Sequence, residues 1–312
     1  MQKKLLNKLK TAVNFSEKEL IQLNEDYTDF LGKTIKKFIE KNHLNSIDAV
    51  CSHGHTILHQ PQKGFTLQIG NLPKIAKIVE NTIVCDFRVQ DVKLGGQGAP
   101  LVPIGDRLLF SEYDFCLNLG GFSNVSFEEN GNRIAFDISP VNTVLNFYAN
   151  QLGLEFDDRG KIARTGKLNQ DLLNELNSLD YYRKSYPKSL GFEFVKEIIL
   201  PLLEKYAVSI EDKMHTFVEH IAIQTDFSLP KKEGKLLITG GGAYHDFLIE
   251  RLQFHLPKMK LMIPDGKTLE YKEALIFGLL GVLKLRNEIN VLKSVTGAIN
   301  DHSSGKTYSQ NC

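Results

Sequence analysis

At 312 residues, with 42% hydrophobic and 24% charged side chains, the chain is too long for one small core and suits two domains of ordinary size. Its net charge of +1, with acids and bases interspersed, leaves no electrostatic footprint for nucleic acid or an anionic membrane. No apolar signal region follows the basic start, where Lys3, Lys4, Lys8 and Lys10 mark one solvated helix face, and the longest apolar stretch, 274–283, is about half a membrane span.

Ser16-Glu17-Lys18-Glu19 fits a capping box, in which serine and glutamate satisfy each other's free N–H groups at a helix start. Beyond it Leu20, Leu23, Tyr27, Phe30, Leu31, Ile35 and Phe38 recur at helical spacing and predict one amphipathic helix to about Lys41. A short buried strand, 49–52, runs into the polar stretch Ser52-His53-Gly54-His55-Thr56; a second strand, 82–87, ends at Arg88 before the glycine-rich loop 95–100. From Ser111 the pattern changes. Strands are expected at 115–119, 125–127 and 133–136, with a hairpin turn at Asn130-Gly131. Helices follow at 142–151, 168–176, 192–206 and 210–227; the last unit is strand 235–239, glycine turn 240–242, helix 244–255, strand 261–263 and helix 269–286. Cys51, Cys85, Cys116 and Cys312 lie far apart without metal-ligand spacing, three of them in apolar runs where a reduced cysteine is a small buried hydrophobe, which suits a reducing cytoplasm.

A β-meander followed by helices and further strands is how an RNase H-like domain begins. The expected fold is therefore α/β, with two RNase H-like domains of the actin/hexokinase/Hsp70 (ASKHA) type. Residues 111–283 supply one such domain. Residues 1–110, with a C-terminal helix at 284–312, form an incomplete first domain. Only two strands precede Ser111, which would leave an open edge and a long amphipathic helix without a full partner, so strands are expected to be missing ahead of Met1.

Gly120-Gly121, followed by Ser123 and Asn124, is either a phosphate cradle of consecutive N–H groups or a tight hairpin turn. Gly240, Gly241 and Gly242 follow a strand and open a helix, a place suited to a nucleotide's phosphates; no Gly-Lys-Ser/Thr follows, so this is not a Walker loop. Asp137 directly follows the 133–136 strand, where it reads equally as a general base or as a helix N-cap. Glu273, early in the last long helix, is either its carboxylate partner or a solvated helix residue. His53, His55 and His59 lack the spacing and the intervening acid of a zinc helix, so no metal site is expected and the histidines serve a polar ligand or the loop itself. Arg88 with Asp86 and Asp91 makes either an ion-pair network or a carboxylate-binding site.

Taken together the segments resemble the anhydro-N-acetylmuramic acid kinase family. The motifs that carry the resemblance are Ser52-His53-Gly54-His55-Thr56, Gln68-Ile69-Gly70-Asn71, Asp86-Phe87-Arg88 with Asp91, Gly95 to Pro103, Leu117 to Val125, Gly240 to Ala243, Glu273, and Val295-Thr296-Gly297-Ala298. They run in family order from about residue 47 to 298. The resemblance implies a kinase that uses ATP and Mg²⁺ to phosphorylate O6 of 1,6-anhydro-N-acetylmuramic acid while water opens the anhydro ring. It makes Asp137 the catalytic base and adds Glu273 to the catalytic set. Ser52, His53, Thr56, Gln68, Asn71 and Arg88 would contact the sugar; Gly120, Gly121, Ser123, Asn124, Gly240, Gly241 and Gly242 would line the nucleotide side. The implied partner is a small sugar, with no nucleic acid or membrane and with homodimerisation left open.

Two departures from the family pattern stand out. Ser139 replaces a glycine and Asn146 an acid near the base, while Asp137, Pro140 and Asn142 are retained. The sequence also has no Gly-x-Met-Ser-Gly-Thr-Ser-x-Asp-Gly-x-Asp segment, the part that holds ATP phosphates in the family. An alternative reading is a degenerate, non-catalytic sugar-binding or regulatory protein. The 312-residue chain is expected to bind sugar weakly and transfer phosphate poorly or not at all. A coupled ADP-release assay with anhydromuramic acid checks this, and robust turnover would refute the need for that segment.

Overall fold

The computed structural model describes residues 2–310, and of residues 2–4 only the backbone; the readings of Lys3, Lys4 and Cys312 thus lie outside the described residues. The chain opens with helices α1 (Gln2–Thr11) and α2 (Glu17–Lys41) and strands β1 (Val50–Ser52), β2 (His55–Gln60) and β3 (Phe65–Ile69). It continues through α3 (Lys74–Val79), β4 (Ile83–Cys85), α4 (Val89–Lys93) and α5 (Pro103–Leu109). The meander β5 (Phe115–Leu119), β6 (Phe122–Glu129) and β7 (Asn132–Pro140) leads into α6 (Asn142–Gln151), α7 (Lys161–Thr165), α8 (Gln170–Asn177) and α9 (Asp180–Arg183). Residues 192–204 hold α10 (Phe192–Phe194), a π-helical turn and α11 (Leu200–Glu204); then come α12 (Ile210–Ser228), β8 (Glu233–Thr239), α13 (Asp246–His255) and β9 (Lys258–Met262). The last elements are α14 (Gly266–Leu285), α15 (Lys293–Thr296) and β10 (Lys306–Tyr308). Two units divide the chain, one formed by residues 1–105 and 273–312, the other by residues 106–272.

In the first unit the capping box at Ser16 forms: its N–H donates to Glu19 Oε2 at 2.8 Å while its hydroxyl accepts the Glu19 N–H. Leu31, Ile35 and Ile39 of α2 pack on Ile75, Ala76 and Val79 of α3 and on Ile83 and Cys85 of β4. Gly32 permits this approach, since a Cβ there would lie 2.8 Å from Ile78 Cγ2. The sheet is three-stranded, β1-β4-β10, with β1 parallel and β10 antiparallel to β4. Its third strand comes from the segment expected to be a C-terminal helix. After Leu285 no apolar period of 3.6 continues, and the segment is instead tied by buried Asn290. Its amide donates to Leu280 O and Ser304 O at 3.0 Å and accepts the Ser304 N–H at 2.7 Å. The polar run after β1 also differs from expectation: it enters a separate hairpin, β2-β3.

The second unit has a five-stranded sheet in the order β7-β6-β5-β8-β9. β5, β6 and β7 pair antiparallel, while β5, β8 and β9 run parallel. That arrangement is the RNase H-like topology expected for this region. Leu117, Val125, Ile138 and Ile238 of the sheet share one core with Val144, Phe217, Ile221 and Leu248 of the helices. The first and last residues of this unit meet each other: Lys272 Nζ lies 2.7 Å from Asp106 Oδ1, both side chains buried. Ser126 Oγ donates to Asp106 Oδ2 at 2.5 Å, and Arg133 donates to Ser126 Oγ at 2.8 Å. Removing one member of a buried ion pair leaves a desolvated charge uncompensated. Lys272→Met is therefore expected to lower unfolding free energy by about 3 kcal/mol in urea titrations.

Candidate active site

In the first unit Arg88 is the organising cation. Its Nε donates to His53 Nε2 at 2.7 Å and its Nη1 to Gly98 O at 2.6 Å. His53 Nδ1 in turn faces Gly54 O at 3.1 Å, so the ring accepts at one nitrogen and donates at the other, which requires neutral imidazole. Burial, aided by the Arg88 charge, lowers the His53 pKa to about 4, consistent with that tautomer. The ring also packs edge-on against Phe277 at 4.7 Å. Arg88 is itself pushed down by burial, with Glu273 and Asp91 acting in the opposite sense. Glu273 is exposed on α14, and its charge acts on Arg88 without an ion pair between them.

No ion-pair network joins Arg88 to Asp86 and Asp91. Asp86 instead pairs with Lys306 at 2.7 Å. Asp91 is fully buried and accepts the Gly98 N–H at 2.6 Å and the Thr296 hydroxyl at 2.7 Å. A Cβ at Gly96 would lie 2.2 Å from Asp91 Oδ2, so the glycine loop is wrapped directly on this carboxylate. Two of the sequence motifs, the 95–103 loop and the Val295–Ala298 tail, are thereby joined through one side chain.

Ser52 is buried and its hydroxyl accepts the Gly54 N–H at 3.2 Å. Gln68 donates to Thr66 Oγ1 at 2.8 Å and to Thr56 Oγ1 at 3.3 Å. Among the described residues the buried acceptors Gln68 Oε1 and Asn71 Oδ1 have no hydrogen-bond partner. Such groups are costly unless something donates to them. His59 turns to Thr66 Oγ1 at 3.1 Å and His55 to the Tyr27 ring, so the three histidines face separate partners.

In the second unit the strand carrying Asp137 runs on to Pro140, so the aspartate lies inside β7 and not beyond its end. The 139–140 segment is strand as well. β7 has a bulge: Ser123 faces Ser139 and Asn124 faces Asp137, leaving Ile138 as the extra residue. The N-cap of α6 is Val141, with no side-chain cap, so Asp137 is not a helix cap. Its Oδ2 accepts the Leu190 N–H at 2.8 Å. Burial raises its pKa above the ordinary carboxylate value, and that single N–H works against the rise. The backbone of Asp137 is pinned too: its N–H donates to Lys188 O at 3.1 Å and its carbonyl accepts the Tyr181 hydroxyl at 2.6 Å.

The glycine turns divide into structural and open positions. The carbonyls of Gly120 and Gly121 accept the N–H groups of Asn142 and Thr143 at 3.2 Å, so this turn caps α6. Ser123 is fully buried, its hydroxyl bridging Ser139 O and Ser139 N at 3.1 Å each. Gly240 has φ +84°, and a Cβ there would lie 2.7 Å from Asn118 Oδ1. The helix expected from Tyr244 begins at Asp246, after a 3₁₀ turn over Gly241–Tyr244. Gly241 borders a cavity of about 470 Å³, also lined by Asn142, Asn146, Phe156, Tyr244 and His245. That volume suits a nucleotide-sized ligand. His245 Nδ1 accepts the Leu248 N–H at 3.1 Å, and its Nε2 faces buried Asp157 at 3.5 Å, fixing one wall.

Sequence reasoning missed this wall and the 181–190 segment over Asp137. The turn-forming runs Asp157-Asp158-Arg159-Gly160 and Pro187-Lys188-Ser189-Leu190-Gly191 were the available signals.

The topology and the glycine turns place the chain among α/β proteins built on an RNase H-like unit. The family model for anhydro-N-acetylmuramic acid kinase matches residues 1–310. Proteins of that name from Hydrogenovibrio crunogenus and Mannheimia succiniciproducens are each 33% identical to it; the alignments cover 98% and 99% of this chain and 87% and 89% of the relatives. One from Pseudomonas fluorescens is 35% identical over 88% of this chain and 79% of its own length. The chain belongs to the anhydro-N-acetylmuramic acid kinase family. Among solved structures, component A of the Acidaminococcus fermentans (R)-2-hydroxyglutaryl-CoA dehydratase superposes with a TM-score of 0.36 at 16% identity, covering 56% of this chain and 63% of that one; so loose a match adds nothing to the assignment.

The two kinds of glycine predict different outcomes. Gly240→Ala forces a Cβ into a conformation that only glycine tolerates and is expected to cost about 1–3 kcal/mol, read as a lowered Tm. Gly241→Ala meets no atom nearer than 3.6 Å and is expected to leave stability within about 0.5 kcal/mol.

Proposed function

We propose that this chain, with ATP and Mg²⁺, converts 1,6-anhydro-N-acetylmuramic acid and water to N-acetylmuramic acid 6-phosphate, a cytoplasmic step of peptidoglycan recycling. The observation that carries the reading is Asp137: a carboxylate withdrawn from water, raised in pKa and held by one backbone N–H. A general base is most effective when its pKa approaches the working pH, and desolvation moves an aspartate in that direction.

Asp137 takes a proton from water as the oxygen bonds to C1 of the sugar. The C1–O6 bond breaks, and O6 keeps the electron pair and attacks the γ-phosphorus, releasing ADP. Arg88, fixed by His53 and Gly98, offers the rest of its guanidinium to the sugar, with Glu273 balancing its charge. Gln68 Oε1 and Asn71 Oδ1, buried acceptors without donors, suit the hydroxyl and amide N–H groups of an amino sugar. Ser52 and Thr56 hold that hairpin in place. The cavity at Gly241 is the place for the nucleotide's base and ribose, and the turns at Gly120, Gly121 and Gly240 to Gly242 support it. Among the described residues no group of three or more His, Cys, Asp and Glu side chains gathers into a metal cage, so magnesium would arrive on the phosphates, where it offsets their charge.

Asp137→Asn is expected to lower kcat by about 10²–10⁴-fold while leaving Tm at pH 7 unchanged or higher. The sign follows from linkage. A folded-state pKa above the unfolded one gives stability that is fully present at low pH and lost as pH rises through the folded value. At neutral pH the buried charge therefore works against folding, and the amide removes it. In the parent enzyme the acid limb of kcat/KM should lie above the ordinary aspartate range. A variant that loses activity and stability together would point to a structural role for Asp137.

A further inference from the structure

The 181–190 segment also carries a charged residue, Lys188, whose backbone carbonyl accepts the Asp137 N–H. Lys188 Nζ sits 4.9 Å from the centroid of the Tyr181 ring and 5.7 Å from that of Phe136. Phe136 is also stacked on Tyr186 at 5.3 Å, which keeps its ring in place. Around Lys188 the backbone is fixed by Asp137 itself, through the Lys188 carbonyl at 3.1 Å and the Leu190 N–H at 2.8 Å. The Tyr181 ring under the ammonium carries the hydroxyl that donates to Asp137 O. The cation and the candidate base are therefore parts of one hydrogen-bonded and ring-stacked assembly.

Among the described residues the two buried lysines are paired. Lys213 meets Glu204 at 3.0 Å and Lys272 meets Asp106 at 2.7 Å. Lys188 is half-buried, and among the described residues no carboxylate lies within ion-pair distance of it. Desolvation alone lowers its pKa, with no acid raising it. Aromatic faces stabilise an ammonium only in part, and its three donors still want oxygen acceptors.

We infer that Lys188 is an anion-binding residue of the Asp137 site, taking an anionic oxygen group of a bound reactant. This rests on the proposed function, under which two such groups are at hand: the carboxylate of the muramic acid and the transferring phosphoryl group. A charge-assisted hydrogen bond from a partly desolvated lysine would weaken binding about tenfold or more when lost.

Isothermal titration of the full chain, Lys188→Met and Lys188→Arg separates the sources. The ligands are 1,6-anhydro-N-acetylmuramic acid, its neutral counterpart 1,6-anhydro-N-acetylglucosamine, and a non-hydrolysable ATP analogue with Mg²⁺. In Lys188→Met, about tenfold weaker binding of the acid sugar with the neutral sugar unaffected assigns Lys188 to the carboxylate. Weaker binding of the ATP analogue alone assigns it to the phosphoryl group. Lys188→Arg, which keeps the charge, should restore most of either loss. Unchanged binding of all three ligands overturns the inference. So does an equal loss for both sugars with a lowered Tm, since the lysine would then serve only to cover the rings. A parent chain that binds neither sugar overturns the functional reading instead, and Lys188 is then decided by the ATP-analogue titration.

Discussion

The proposed chemistry depends on keeping one carboxylate, Asp137, charged in a place that disfavours charge. Asp137 is half-buried under the 181–190 segment, and a single backbone N–H compensates its charge. A second or third donor would stabilise the anion and make it a weaker base. A fully apolar pocket would leave it protonated at neutral pH. The bulge sets the balance, because the extra residue Ile138 goes into the core and leaves Asp137 facing the covering segment.

The same economy appears in the first unit, with a different outcome. Asp91 is more deeply buried than Asp137 but accepts a backbone N–H and a threonine hydroxyl, and the glycine loop closes on it. It is satisfied, and its work is architectural. Arg88 is held from two directions and keeps donor capacity, and the same unit holds two buried amide oxygens without a partner among the described residues. Satisfied polar groups build the frame; under-satisfied ones mark where a ligand belongs.

Much of this was legible in the sequence wherever apolar periodicity marks a buried face. The helix 142–151, the long helix after the Ser16 capping box and the meander all lie where their patterns put them. What escaped is what tertiary placement decides. Lys306-Thr307-Tyr308 has no strand pattern of its own and becomes one because β4 offers a free edge. The hairpin at 55–69 opens within the polar run Ser52 to Thr56 and mixes histidine, threonine and glutamine with aliphatic residues, so no strand pattern stands out. Ser123 beside two glycines resembles a phosphate ligand, yet its hydroxyl closes the bulge. The residues that cover Asp137 come from more than forty positions downstream, a pairing no local pattern announces. Asp137 was singled out by residue type and neighbourhood, and the structure moves it from a strand's end to a strand's bulge.

The most direct test of the account follows the oxygen. Anhydromuramic acid labelled with ¹⁸O in the 1,6-anhydro bridge would be incubated with ATP, Mg²⁺ and enough of the chain, or of Asp137→Asn, to trap product for mass spectrometry. If water attacks C1 under Asp137 catalysis, the label stays at O6 in the phosphate ester, and the variant accumulates product far more slowly. Label at the anomeric position, or equal product from both proteins, would contradict the account.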